Sequence, residues 1–498
     1  MKSRPLVFAA AGAAAVLALA GCSSSGGSSA SGKDATIAVG SLYEPTNLSN
    51  VDGGGQGVTE AFNGNVYEGL FRLGDDGKVT PQLATSYDTS ADGRTYTFHL
   101  RSGVRFHGGG TMTSGDVKSS IERVTAADSQ SSRKSSLAVI SGITTPDDDT
   151  VVVTLSQRSI SLVYNLSYVW IVPTSDRTLT TTEDGTGPYR LDQRKRGSSL
   201  TLSPFAGYWG SAPKNGGIEF DYFTSAATLS NALASGQVDV VTSLQSPDAL
   251  SRFSDDSDYT VSDGQSTTKE LLAFNDAKAP FDNTDLRKAI YSAIDRKQLL
   301  KSIWGSHGSL IGSMVPPSDP WYEDLTDVNP YDPALAKQLL AKSGHADGFT
   351  FTLDTPTYDP HPQVAQYLQS ALRKVGVTVK INSISADEWY TKVYQDHDFT
   401  ATLQEHVNDR DIVFYGDPTF YFGYDNPQVT QDIADAEAAT TTEQQTALLK
   451  QANEQIAADA ASAWLYLYPQ IVVADSDLSG YPVNGLNSQF PAYDIVKR

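Results

Sequence analysis

The chain carries one cysteine, and its position constrains everything that follows it. Cys22 closes a stretch in which Lys2 and Arg4 supply positive charge and Leu6 to Ala20 form an apolar run too short to span a bilayer. Ala20 and Gly21 are small residues where a signal peptidase would cut, so residues 1–21 read as a secretory signal. What remains is expected to fold in an oxidising compartment without a disulfide, because its single thiol stands at its very end. Buried apolar cores must then supply the stability.

Leu19-Ala20-Gly21-Cys22 resembles the bacterial lipobox, which implies a diacylglyceryl anchor on Cys22 and residence on the extracytoplasmic face of the cell membrane. Residues 22–33 read as a linker, since Ser23 to Gly32 are Ser, Gly and Ala only and have almost no apolar surface to bury. Cleavage before Cys22 removes Lys2 and Arg4 and leaves 35 basic against 58 acidic residues, a net charge of −23. Nucleic acid is therefore excluded as a partner. The acids are scattered rather than blocked, which suits a self-repelling surface, and a monomer is expected. No other segment is apolar for long enough to be transmembrane.

About 460 residues are more than one core serves, so several lobes are expected. Thr95 to Leu100, Val151 to Leu155, Leu200 to Leu202 and Ile218 to Tyr222 alternate or cluster β-formers, which makes the first half strand-rich. In the second half Phe349, Phe351 and Leu353 keep period two, Val364, Leu368, Ala371, Leu372 and Val375 keep helical spacing up to Gly376, and Val377, Val379 and Ile381 return to period two. This is a β-α-β unit. The helix before it has Asp332 as N-cap, Pro333 at the first position and Gly344 beyond its end, with Leu335, Leu339 and Leu340 as its buried stripe. A further amphipathic helix is expected from about Leu286 to Trp304.

Enzymatic chemistry finds little support. Cysteine nucleophiles are absent beyond the linker, and no Gly-x-Ser-x-Gly elbow occurs. Ser131 and Lys134 form a lone Ser-x-x-Lys without companion motifs. Gly27, Gly32 and Lys33 approach phosphate-loop spacing, but Asp34 replaces the hydroxyl residue; Gly53 to Gly55 and Gly108 to Gly110 lack a dinucleotide context. The seven histidines show no metal-ligand spacing. No cofactor is expected, and a secreted hydrolase is the rival reading.

Five ordered fragments are more specific: Tyr67-Glu68-Gly69-Leu70, Pro81-Gln82-Leu83-Ala84, Asp92 to Arg101, Gly103-Val104-Arg105-Phe106-His107 and Gly115-Asp116-Val117. Further on come Gly185-Thr186-Gly187-Pro188-Tyr189, Tyr208-Trp209, Gly236-Gln237-Val238-Asp239, Phe274-Asn275, Ile294-Asp295-Arg296 and Val315-Pro316-Pro317. Together they resemble the family 5 solute-binding proteins of bacterial ABC importers, the peptide, dipeptide and nickel group. Read for structure alone, Asp92-Gly93 is a hairpin turn, Gly187-Pro188 a tight turn, Trp209 a packed aromatic, and Asp295 with Arg296 an ion pair near a helix C-terminus.

The resemblance implies a type II-like periplasmic-binding-protein fold, with two α/β lobes around a ligand cleft and an additional inserted lobe. Mapped here, lobe I takes residues 34–48, 172–264 and 471–498, lobe II takes 49–171, and lobe III takes 265–470. It implies capture of an oligopeptide or similar small solute and delivery to an ABC permease with its ATPase subunits. Peptide-binding members place an aspartate three residues after a tryptophan to pair with the ligand ammonium; Asp409 matches the aspartate, and His406 replaces the tryptophan. Thr355 and Tyr358 stand where dipeptide-type members carry an arginine for the ligand carboxylate, which disfavours a strict dipeptide binder. Tyr415 joins the expected ligand-binding set. With Tyr394 and Tyr421 it also leaves an oligosaccharide open, and His406 leaves a metal chelate open.

Overall fold

The computed structural model describes residues 32–53, 55–74, 76–175, 182–244 and 246–498; Cys22 lies outside the described residues. Three sheets organise the chain. The first has seven strands in the order Tyr259–Gly264, Gln470–Asp475, Val240–Val241, Thr36–Ser41, Gly217–Tyr222, Ser199–Pro204 and Tyr189–Lys195. Thr36–Ser41 pairs parallel with both of its neighbours, while the outer pairings are antiparallel. Its apolar residues bury both faces: Ile37, Val39, Ile218, Phe220 and Val472 pack on one side, Val241, Ile471 and Val473 with Leu229 and Leu233 on the other.

The second sheet is an antiparallel four-strander, Ala84–Thr89, Thr95–Leu100, Thr150–Leu155 and Ile140–Asp147 in that order. Period-two burial of Tyr96, Phe98 and Leu100 and of Val151, Val153 and Leu155 sets one face on the helix Ser114–Thr125, through Val117, Ile121 and Val124. Gly93, at φ +67°, makes the hairpin turn expected of Asp92-Gly93.

The third sheet runs Thr378–Ile384, Thr350–Pro356, Ala401–His406, Lys269–Phe274 and Ser462–Leu467. Thr350–Pro356, the helix His361–Arg373 and the parallel strand Thr378–Ile384 form the β-α-β unit read from the sequence, with Val364, Leu368 and Leu372 buried. Asp332 caps its helix through the amides of Ala334 and Leu335, both at 2.9 Å. Ala336 and Leu340 carry that helix's burial more than Leu335 and Leu339 do.

Two local expectations are corrected. The helix expected over Leu286 to Trp304 is two helices, Thr284–Ser292 and Arg296–Trp304. Asp295 caps the second, accepting from the Gln298 amide at 3.0 Å, and so interrupts the first. Arg296 is not its ion-pair partner; the buried guanidinium donates to the carbonyls of Ile311 at 2.8 Å, Thr326 at 2.6 Å and Asn329 at 3.2 Å. Gly185 and Gly187 are required by close approach: a Cβ on Gly185 would lie 2.0 Å from the Val66 carbonyl oxygen, and one on Gly187 would lie 2.5 Å from that of Asn65.

Several ordered sequence fragments converge on one carboxylate. Buried Glu68 accepts from Gln82 (2.9 Å), Thr186 (2.8 Å), Tyr208 (2.9 Å) and Trp209 (2.8 Å), and the Arg101 guanidinium lies 4.1 Å from the Trp209 ring centroid. Those fragments are scaffold, clamping the first two sheets together.

Candidate functional site

Two short segments join the first and third sheets. Residues 265–268 lead from Tyr259–Gly264 into Lys269–Phe274, and Tyr468 with Pro469 lead from Ser462–Leu467 into Gln470–Asp475. They lie side by side, with the Tyr468 amide bonded to the Thr268 carbonyl at 3.0 Å. This paired crossover makes the carboxyl ends of the parallel strands of both sheets face one another, the position where open α/β sheets bind ligands.

The cavity at that seam is lined from the first sheet's side by Tyr43, Glu60, Thr242 and Ser243 and from the third's by Thr268, Glu405, Val407 and Tyr468. Glu60 projects from the helix Gly55–Phe62; its Oε2 accepts from Thr242 Oγ1 at 3.3 Å, while Oε1 is buried without a hydrogen bond. Glu405 and Glu270 are directly opposed on neighbouring antiparallel strands. Glu270 is fully buried, with Oε2 accepting from the Tyr468 hydroxyl at 2.5 Å and Oε1 unpartnered.

Burial dominates the electrostatics here. It pushes the Glu60 carboxyl up to about 7, Glu405 up to about 7 and Glu270 up to about 8. Burial also lowers the titration of His361, whose Nε2 lies 3.6 Å from Glu270 Oε2. Tyr358, edge-on to His361 at 4.6 Å, has its hydroxyl titration raised by burial and then by Glu405, Glu270 and Tyr43. Of the residues expected from the sequence, Tyr358 is thus the one brought to the seam acids.

Asp409 lies further along the same segment, between Val407 at the seam and Arg410 at a second cavity of about 660 Å³ between the second and third sheets' lobes. The loop is pinned from several directions. Thr267 Oγ1 donates to the Val407 carbonyl at 2.5 Å, the Lys269 ammonium donates to the Asn408 carbonyl, and the Arg410 amide donates to Asp319 Oδ2 at 3.0 Å. Asp409 accepts the hydroxyl of Tyr164, with Tyr168 at 3.4 Å. Arg410 stacks over Tyr164 at 3.4 Å, and Arg133 stacks over Tyr168 at 3.7 Å. Asp409 is therefore 7% exposed in a cation-rich seam between lobes.

The remaining expected residues are absorbed by the third lobe. His406 is hydrogen-bonded to the Tyr421 hydroxyl at 2.9 Å, lies 3.6 Å from Asp411 and packs among Phe414, Phe420 and Phe422. Thr355 is fully buried at its strand end. Tyr415 lies in the core, stacked on Phe422 with centroids 4.8 Å apart and bonded to Ser462 at 2.9 Å. Tyr421 is buried as well, and Tyr394 stacks on Tyr390 at the surface. Glu60, Glu270, Thr242 and Tyr468 were missed. The available signal was an acid inside an apolar run, as in Lys269-Glu270-Leu271-Leu272 and Val58 to Phe62.

Comparison with known proteins agrees with this architecture. The family model of bacterial extracellular solute-binding proteins, family 5 Middle, matches residues 78–427. The glutathione-binding protein GsiB of Pectobacterium atrosepticum is 28% identical over 485 residues, covering 91% of this chain and 92% of the relative. The Helicobacter pylori ABC transporter-associated binding protein DppA, solved with the peptide STSA, superposes with a TM-score of 0.80 at 21% identity, covering 94% of this chain and 98% of that one. The Agrobacterium protein AgaA, solved with agropinic acid, gives 0.79 at 26% identity, covering 93% and 99%. With more than half of its length matched by the family model, this chain belongs to the bacterial extracellular solute-binding proteins of family 5, transport binding proteins and not enzymes.

Proposed function

We propose that this chain is the lipid-anchored binding component of an ABC importer, capturing a peptide-like solute between its first and third lobes and presenting it to a membrane permease. The observation that carries the reading is the paired crossover, which leaves two α/β lobes joined by short segments beside a polar cavity lined from both sides. A solute that touches both lobes favours the closed state by its differential affinity for it. The relatives named for glutathione and for a bound peptide support the peptide-like class. Anchoring rests on the sequence around Cys22, and the protein is read as a monomer.

Native mass spectrometry of freshly purified protein is the test. A retained peptide or glutathione-like mass is expected. A retained sugar or opine would replace the ligand class and leave the transport role standing, and a membrane-extracted form with a bare Cys22 thiol would remove the anchor. By resemblance Asp409 takes the ligand ammonium, in which case Asp409→Asn should weaken a free peptide by about ten- to two-hundred-fold and its N-acetylated form much less. Equal losses for both would assign Asp409 to the lobe seam with Tyr164 instead.

A further inference from the structure

Two guanidiniums of the third lobe show what burial ordinarily demands. Arg296 donates to the carbonyls of Ile311, Thr326 and Asn329, and Arg287 donates to those of Phe281 at 2.7 Å, Ala460 at 3.1 Å and Asp459 at 3.0 Å. Arg133 of the second lobe and Arg410 of the third, both half-buried, are different. Among the described residues neither guanidinium donates to a protein acceptor or forms an ion pair, and the Nε of each is buried without a partner. They rest on aromatic faces instead. Arg410 lies 3.4 Å from the Tyr164 ring centroid and 5.2 Å from that of Trp321, and Arg133 lies 3.7 Å from Tyr168 and 5.4 Å from Tyr164. A guanidinium carries five donors in a planar fork, so a pair left with these donors unmatched on one aromatic floor is arranged for an oxyanion.

Both line the cavity of about 660 Å³ between the second and third lobes, which has room for a small organic solute. Trp321 lines it as well, 2% exposed and with its Nε1 buried and unpartnered. The acids on its wall are engaged elsewhere: Glu437 accepts the hydroxyls of Ser159 and of Ser161, the latter at 2.7 Å, and Asp417 accepts that of Thr419 at 2.6 Å. Asp411 is matched by Lys269, and Asp319 takes the Arg410 amide. Asp409 is the acid that shares the floor, through the hydroxyls of Tyr164 and Tyr168, so two cations and one anion surround one pair of rings. We propose that Arg133 and Arg410 form a subsite for a carboxylate of the solute, clasped by one guanidinium from each lobe, and that its place beside Asp409 selects a solute with carboxylate and ammonium on the same carbon. A free amino acid or a γ-glutamyl group presents such a head; the N-terminus of an ordinary peptide presents an amide there instead. This deepens the transport-binding reading on which it rests.

The test uses the full chain with glutathione, whose γ-glutamyl group is such a head, and with two modified forms of it. The carboxamide of its γ-glutamyl α-carboxylate keeps the ammonium and loses the anion beside it. The isomer with an ordinary α-linkage keeps every charge but carries that carboxylate further from the ammonium. Calorimetry should show the carboxamide weaker than glutathione by about ten- to two-hundred-fold, and the isomer weaker as well. Arg133→Gln and Arg410→Gln should each weaken glutathione by a similar factor and change the carboxamide little. The carboxamide arm requires no variant to fold.

If glutathione does not bind, mass spectrometry of the solute retained through purification decides. One bearing a carboxylate, and lost from Arg133→Gln and Arg410→Gln at unchanged melting temperature, supports the subsite. One without an anionic group, or one that both variants keep, overturns it. Equal affinity for glutathione and its carboxamide, or equal losses for both in the variants, also overturns it, and a radius of gyration that shrinks on binding then leaves the interlobe reading intact. No retained solute, no binding and an unchanged radius would overturn both.

Discussion

At the scale of single residues, charge pairs here do different work according to burial. Lys269 is fully buried, 3.1 Å from Asp411, and its ammonium also holds the Asn408 carbonyl, so it fixes the loop that carries Asp409. Burial works against the Asp411 carboxylate, and Lys269 and then His406 outweigh it and hold its titration below the usual range. Lys269→Met should therefore cost about 3–5 kcal/mol in denaturant unfolding, because it strands a buried carboxylate. Lys342 lies closer to its partner Asp285, at 2.7 Å, but is exposed, and Lys342→Met should cost at most about 1 kcal/mol. Comparable losses in the two variants would contradict the assignment. The seam acids carry the opposite sign. Glu60, Glu270 and Glu405 titrate higher in the folded chain than in the unfolded one, so between about pH 5 and pH 8 the folded state holds more protons. Stability contributed by their neutral forms is present at the acid end of that window and is lost as pH rises through about 7 to 8. Melting followed from pH 5 to 8 should show a decline that Glu270→Gln reduces, and a decline unaltered by that change would exclude the seam as its source.

At the scale of elements, local punctuation and close backbone approach decide where strands and helices stop. Asp332 and Asp295 both cap helices, and only the first was read as a cap, because Pro333 follows it while Ile294-Asp295-Arg296 sits inside a continuous apolar stripe. Gly264 ends the strand that enters the crossover, and a Cβ there would lie 1.9 Å from the Val483 carbonyl oxygen. Backbone cannot yield as a side chain tip does, so Gly264→Ala should displace the crossover and cost about 1–3 kcal/mol. Thermal unfolding measures this, and a variant with unchanged melting and unchanged ligand affinity would show that the crossover tolerates the shift.

For the whole molecule, the prediction is closure. Micromolar binding supplies about 8 kcal/mol at standard state, enough to bias a two-lobe equilibrium when most of it depends on contacts to both lobes. Small-angle scattering of the ligand-free and saturated protein should show a smaller radius of gyration with solute. An unchanged radius from a demonstrably open starting state would count against an interlobe mechanism. Among the described residues no helix is long and apolar enough to cross a membrane.

The sequence by itself determined whatever depends on neighbours along the chain: the period-two strands Thr95–Leu100 and Thr150–Leu155, the β-α-β unit from Thr350 to Ile384, the Asp92-Gly93 turn and the Asp332 cap. Ordered fragments carried the family, although it took the structure to show that Glu68 gathers Gln82, Thr186, Tyr208 and Trp209 from as many as 141 residues away. The site was legible only in part. Asp409 and Tyr358 lie near the cleft, but a residue's burial and partners are set by segments remote in sequence: Tyr164 reaches Asp409 across 245 residues, and Thr242 reaches Glu60 across 182. Tyr415 shows the same limit from the other side, since nothing local distinguishes a tyrosine that faces a ligand from one stacked inside a core. Whether a carboxyl is solvated, ion-paired or buried without a counter-charge depends on the dielectric and donors around it, and those are assembled only when the lobes pack.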